Sequence, residues 1–340
     1  SDIVRIIVQK FGGTSMATSL SRKHVIKQIR SALEEQVKLV VVVSAMGRKE
    51  DPYATDTFLH WIKENGGALP LREMDLLLSC GEIISAATLC SLLHAEGISS
   101  TILTGAQAGI VTNSNHGDAR ILSIDPSAVL AELKQDSVVI VTGFQGKTQT
   151  GEITTLGRGG SDTTATALAV SLQAEMIDIF TDVEGVLTAD PQIVKDAKPL
   201  EQITYAEICN MAYQGAKVIH PRAVEVAMKG NRPIRIRSTF TEGNGTLVVG
   251  QRQLQKGGLG KDRYIAGIAH VPQVSQIQIA SAHGQYDLQL QIFKAMASHR
   301  ISVDFINVAP SGVIYTVFDH EVDKAKQILE KLGYEPLITK

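Results

Sequence analysis

Short runs of β-branched and other apolar residues recur along the first 250 positions. Each is separated from the next by a stretch whose apolar residues fall at helical spacing. Strands are predicted at 3–9, 38–44, 98–103, 136–143, 175–182 and 233–238, and helices near 17–35, 71–95, 126–134, 161–173, 204–213 and 221–229. Near-continuous apolar strands alternating with helices specify a mostly parallel sheet covered on both faces. The predicted strands run into Lys-Phe-Gly-Gly, Ser-Ala-Met-Gly, Thr-Gly-Phe-Gln-Gly and Thr-Asp-Val-Glu-Gly. In open α/β sheets, such carboxyl edges are where ligands bind.

The pattern breaks at 251–263, a polar, glycine-containing stretch without periodicity that reads as a linker. Beyond it a strand (274–280), a helix (285–299), a strand pair (301–308 and 313–319), a helix (321–333) and a last strand (334–339) spell βαββαβ, a ferredoxin-like module. The expected division is therefore a catalytic-sized α/β domain over 1–250, the linker, and a small module over 264–340.

Composition narrows the function classes. The chain has 340 residues, 44% hydrophobic and 20% charged, enough for about two domains with a sizeable core. Its net charge of −2 supplies no field for nucleic acid or anionic membrane. The arginines of RPIRIRS (232–238) alternate with apolar residues, which reads as a solvated or ion-paired strand face rather than a phosphate track. Three cysteines without a CxxC pair argue against a disulfide framework or a zinc knuckle and for a reduced, cytoplasmic setting. No uninterrupted apolar run approaches ~18 residues, and no signal-peptide pattern opens the chain.

Several stretches carry chemistry. In TLGRGGSDTTATALAV (155–170), glycines permit close backbone approach and the following helix offers an anion site at its amino end. Ser161 or Asp162 is expected to cap that helix. Arg158 presents a fork suited to a carboxylate or phosphate, or else stands in solvent beside a glycine turn. VQKFGGTS (8–15) runs a strand into a Gly-Gly turn behind Lys10, a cradle for phosphate oxygens with a neutralising ammonium. Its spacing fits neither a Walker A loop nor a Rossmann fingerprint. FTDVEGVLTADP (180–191) is an acidic loop whose register fails the calcium-loop pattern. In YQGAKVIHPRAVEVA (213–227), Lys217 follows a glycine, Pro221 suits a first helical turn, and His220 reads as structural rather than catalytic. Glu82, in an otherwise apolar helix, needs a partner: a ligand's ammonium group, or a lysine of the fold.

In their common order, KFGGTS (10–15), VVSAMG (42–47), SCGE (79–82), TGFQG (142–146), GRGGSDT (157–163), FTDVEGV (180–186), TADP (188–191) and GAKVIHPR (215–222) resemble the aspartokinases of the amino-acid kinase family. The resemblance spans essentially the whole chain. It implies an α/β/α sandwich with a predominantly parallel sheet and, from near 265, an ACT module. It implies phosphorylation of the L-aspartate side-chain carboxylate by ATP with Mg²⁺, giving 4-phospho-L-aspartate on the way to lysine, threonine, methionine and diaminopimelate.

By resemblance, Lys10 and Lys217 face the triphosphate, with Phe11, Gly12, Gly13, Gly160 and Ser161 around it. Thr181, Asp182, Thr188 and Asp190 line the nucleotide pocket. Ser44 lies at the rim, and Gly159, Gly160 and Ser161 border the substrate. Arg158 holds the α-carboxylate of aspartate, Glu82 meets its α-ammonium, and Asp162 positions the lysines. Gln192 stands where the family often has arginine, which puts one nucleotide contact in question. The family usually carries two ACT modules and this chain ends after one. Gly284, Tyr286, Asp304 and Asn307 are the implied effector contacts, feedback by lysine, threonine or diaminopimelate is expected to be weakened, and a homodimer through ACT modules is implied. Two alternatives stay open: a kinase of the same fold acting on acetylglutamate, glutamate, carbamate or UMP, and an amino-acid sensor without turnover.

Overall fold

A computed structural model describes residues 4–190, 192–213, 218–251, 273–281, 287–309 and 311–339. The apolar strands of the first 250 residues assemble into an eight-stranded sheet. Its members are β1 (Ile6–Phe11), β2 (Lys38–Val43), β3 (Ser100–Leu103), β6 (Val138–Thr142), β9 (Met176–Thr181), β10 (Gln202–Thr204), β11 (Ile234–Ser238) and β12 (Thr246–Val249). They lie in the order β10-β12-β11-β9-β1-β2-β6-β3. Every pairing is parallel except β11 with β12.

Strand alternation feeds two cores. Ile6 and Val8 of β1 face one core, and Ile7 and Phe11 face the other. Against the first pack α6 (Gly160–Ser171), α7 (Tyr205–Tyr213) and α8 (Pro221–Lys229), through residues such as Leu168, Ile208 and Val224. The second is closed by α2 (Ser19–Glu34) and α4 (Leu71–Ala95) through Val25, Ile29, Leu89 and Leu93. Helices on both faces of one sheet make the α/β/α sandwich.

A second, four-stranded sheet, β5-β4-β7-β8, escaped the sequence reading: β4 (Ile110–Thr112), β5 (Ile121–Ile124), β7 (Gln145–Lys147) and β8 (Ile153–Thr155). Its strands are three or four residues long and mix polar with apolar positions, so no period-2 signal accumulates. Between Ala54 and Gly66 lies a helix also absent from that reading, α3 (Thr55–Asn65), which buries none of its residues. Two further helices of this unit are α1 (Gly13–Met16) and α5 (Ser127–Leu133), and α4 is, among the described residues, the helix long and apolar enough to cross a membrane. Yet α4 carries Asp75 and Glu82 on its buried side, as a core helix does.

The arginine-alternating strand is β11. Arg235 forks onto Asp178 of β9 at 2.7 and 2.9 Å, and Arg237 reaches the same carboxylate at 3.4 Å. Asp178 is fully buried, so this face is ion-paired.

The chain divides into units at 1–269 and 270–340. The linker expected over 251–263 lies outside the described residues apart from Gln251. The second unit holds β13 (Val274–Ala280), α9 (Leu288–Ser298), β14 (Asp304–Ala309), β15 (Gly312–Phe318), α10 (Val322–Lys331) and β16 (Leu337–Thr339). Its antiparallel order, β14-β15-β13-β16, is ferredoxin-like. Ile277, Ile279, Tyr315 and Val317 form its core with Ile292 and Leu329 from the helices.

Candidate active site

At the carboxyl ends of β1, β2 and the segment entering α6, backbone turns open a cavity of about 310 Å³. Lys10 of β1 reaches Asp162 in the first turn of α6 at 2.9 Å, with both side chains largely buried. The other Asp162 oxygen accepts the His220 backbone N–H at 3.2 Å, which fixes the carboxylate and so the ammonium. Gly13 begins α1 beneath the cavity. A Cβ there would stand 2.6 Å from the Gly47 carbonyl, whose own N–H donates to the Gly13 carbonyl at 2.9 Å. The two turns can approach this closely only without side chains.

Glu82 enters the cavity from α4. It is 2% exposed, and its Oε2 has no hydrogen-bond partner among the described residues. Burial raises its carboxyl to about pKa 8, against the opposing pull of the Glu82 and Ala45 backbone N–H groups. No lysine of the described fold meets it, so the duller of the two partners foreseen for it is absent from those residues.

The turn before α6 departs from expectation. Gly159, with φ 67°, is the N-cap, and neither Ser161 nor Asp162 caps the helix through its side chain. A Cβ on Gly159 would collide with the His220 ring. His220 itself caps α8, its Nδ1 accepting the Arg222 N–H at 3.2 Å, and Pro221 takes the first helical position. Burial first, and then Arg222, pushes the imidazole below the usual histidine value, which suits an acceptor. The structural reading of His220 therefore fits its place.

Of the residues singled out from sequence, Lys10, Gly13, Ser44, Glu82, Gly159, Gly160, Ser161 and Asp162 border this one cavity. Arg158 does not. It is exposed and faces a second cavity of about 500 Å³ beyond Gly157, with Arg120 and Arg222. Gly12 lies beside the Lys10 ammonium. Phe11 needs correction as a side-chain contact: it is fully buried, stacked on Phe180 with centroids 4.6 Å apart, and its carbonyl accepts the Ser44 N–H. Thr181 ends β9, and its hydroxyl accepts the Val183 N–H at 3.0 Å. Asp182 does not line the cavity but meets Arg48, which does, at 3.4 Å. Thr188 and Asp190 accept the N–H groups of Lys198 and Gln192 and so shape the following loop. Lys217 lies outside the described residues.

Comparison with known proteins supplies the family. Residues 5–238 match the amino acid kinase family. Aspartokinase 1 of Bacillus subtilis is 51% identical over 99% of this chain and 83% of its own length. The chain belongs to the aspartokinases. The aspartokinase of Geobacillus stearothermophilus is 41% identical over 96% of this chain and 79% of its own. Among solved structures, E. coli aspartokinase III in complex with lysine and aspartate superposes with a TM-score of 0.78 at 26% identity, covering 98% of this chain and 85% of that one.

As an aspartokinase, the chain is a kinase that uses ATP. Residues not singled out from sequence also line its cavity, notably Arg48, Asp56 and Phe144. Arg48 follows SAMG and was legible only as a charge after a glycine turn. Behind the cavity wall, Asp75 of α4 gathers several donors and is fully buried. A single acid seven residues before Glu82 gave no motif. In the second unit, Asp304 and Asn307 lie exposed on β14, while Gly284 and Tyr286 lie outside the described residues.

Proposed function

We propose that this aspartokinase transfers the γ-phosphoryl group of ATP to the side-chain carboxylate of L-aspartate, forming 4-phospho-L-aspartate in the cytoplasm. The observation that carries this reading is the buried Glu82 Oε2, partnerless among the described residues and sharing one cavity with the Lys10–Asp162 pair. An α-ammonium group supplies that missing partner. The nucleophile is a carboxylate with a reference pKa of ~3.9, already ionised at neutral pH, so no general base is required. The protein's task is to hold two anions in line and neutralise the moving charge.

Lys10, oriented by Asp162, serves that charge, and the amides around Gly13 and Gly160 offer hydrogen bonds to phosphate oxygens. Arg158 reaches the α-carboxylate by turning about Gly157 and Gly159, both in the left-handed region. Lys217, Thr181, Asp182, Thr188 and Asp190 complete the nucleotide side. Mg²⁺ fits as a partner of the nucleotide: among the described residues no cluster of three acidic, histidine or cysteine side chains would hold it alone, and bound to phosphate oxygens it offsets their charge.

The second unit is an ACT module that takes an amino-acid effector at Asp304 and Asn307 and pairs with a second copy. The E. coli relative solved with lysine and aspartate supports that reading. So does the exposed edge strand β14 bearing Phe305, Ile306 and Val308.

The test is hydroxylamine trapping of acyl phosphate with ATP and L-aspartate, L-glutamate or N-acetyl-L-glutamate in turn. Hydroxamate from aspartate alone is expected. Product from another acid would overturn the assignment of Glu82, and ATP binding without product would favour a sensor.

A further inference from the structure

Asp75 lies outside the cavity, on the helix that carries Glu82, and its bonds reach the segment that leads into Gly157. The side chain is 1% exposed on α4. Oδ1 accepts the Thr155 hydroxyl at 2.6 Å and the Gly117 N–H at 3.1 Å. Oδ2 accepts the Thr155 N–H and the Gly117 N–H at 3.0 Å each, and lies 3.0 Å from His116 Nδ1. Every acceptor position of a buried carboxylate is thereby used, by donors from two segments far from it in sequence.

Those segments lead to the substrate side. Thr155 ends β8 and stands two residues before Gly157, at the start of the turn that carries Arg158 and leads into α6. Gly117 neighbours Asp118, and the missing side chain of Gly157 leaves space that these residues fill: a Cβ there would stand 2.6 Å from Asp118 Oδ1 and 3.4 Å from the Gly117 carbonyl. On the helix, Asp75 precedes Glu82 by seven residues, two turns along the same buried face and about 10 Å along the axis. One carboxylate thus sets the height of Glu82 relative to the turn holding Arg158, Gly159 and Gly160.

We propose that Asp75 is a positioning residue for amino-acid recognition. It locks α4 to the 155–160 segment so that the group meeting the substrate's ammonium and the groups meeting its carboxylate stand at one fixed separation. This rests on the reading of Glu82 and Arg158 given above. A misplacement of the order of 1 Å between such elements can cost as much as about 10²-fold. The effect falls first on aspartate: the β1–α1 turn and the β9 loop form no bond with Asp75, and of the groups offered to phosphate only the Gly160 amide lies on the tied segment.

The experiment measures KM for aspartate and for ATP, and kcat, in Asp75→Asn, Thr155→Val, Glu82→Gln and the Asp75→Asn/Glu82→Gln pair. Thr155→Val removes only the 2.6 Å hydroxyl donor and keeps the test alive if Asp75→Asn does not fold. The expected result is a KM for aspartate raised about tenfold in Asp75→Asn and about threefold in Thr155→Val, with KM for ATP within about twofold. In the Glu82→Gln background, Asp75→Asn should add less than about twofold, since its route to the substrate is already cut. Both KM values rising together, a fall in kcat without a KM split, or effects that multiply in the double variant would each overturn the proposal and leave Asp75 a structural tie. Failure of the underlying reading shows separately: Glu82→Gln would leave KM for aspartate unchanged.

Discussion

Glu82 shows how one side chain couples folding to recognition. Its carboxyl titrates near 4.5 in the unfolded chain and at about 8 in the fold. The folded state therefore holds the proton more tightly. The contribution of Glu82 to stability is greatest below about 4.5, falls as pH rises towards about 8, and levels off above. Glu82→Gln should flatten that slope, so the Tm difference between variant and wild type should grow in the variant's favour between pH 5 and pH 8.5. Catalysis runs the other way, because an ammonium group is best met by the ionised form: wild-type kcat/KM for aspartate should climb with pH through about 8. Glu82→Gln should raise KM for aspartate about 10- to 100-fold through loss of a charge-assisted bond. Lys10→Ala should cut kcat about 10²- to 10³-fold with far less change in KM for aspartate, in the same hydroxamate assay. Glu82 could be singled out from sequence because a charge in an apolar helix is conspicuous. Asp75 is the same residue class in the same helix, yet its donors Gly117 and Thr155 are distant in sequence, so its role became visible only in three dimensions.

Among the elements, helices and long strands were legible and turns were not. The predicted 71–95 and 221–229 coincide with α4 and α8, since apolar periodicity and Pro221 mark them. By contrast, the cap of α6 was misassigned. Ser161 and Asp162 have the right chemistry for an N-cap, but the chain needs a left-handed residue at Gly159 to fit beneath the His220 ring, and geometry overrode side-chain preference. Gly159→Ala tests this directly. With φ 67° and the imidazole in the way, alanine should destabilise the protein by about 1 kcal/mol or more, read as a lower midpoint in urea. The same four-residue turn carries Arg158, so KM for aspartate should rise with it. The β5-β4-β7-β8 sheet was illegible for a different reason. Its strands are too short to show a period, and they exist because each finds partners contributed by the others.

For the molecule as a whole, the order of βαββαβ elements in the second unit was readable, because β13 and β15 alternate and each helix buries one stripe. β14 leaves Phe305, Ile306 and Val308 in solvent at 60%, 50% and 49% exposure. On the proposed pairing through β14, Ile306→Lys should halve the mass seen in sedimentation equilibrium, while hydroxamate formation persists. Sheet order also bears on how the chain is made. The amino-terminal strand β1 lies at the centre, between β2 and β9, and β9 ends only at Thr181. On the ribosome, β1 and β2 can pair early, but one apolar edge of β1 waits for most of the domain to be synthesised. Lys10 sits on that waiting strand and Asp162 arrives just before its closing neighbour. Nascent chains halted before Thr181 should therefore engage chaperones and lack any activity, whereas chains long enough to expose residue 250 beyond the ribosome should gain a protease-resistant sheet in a single step.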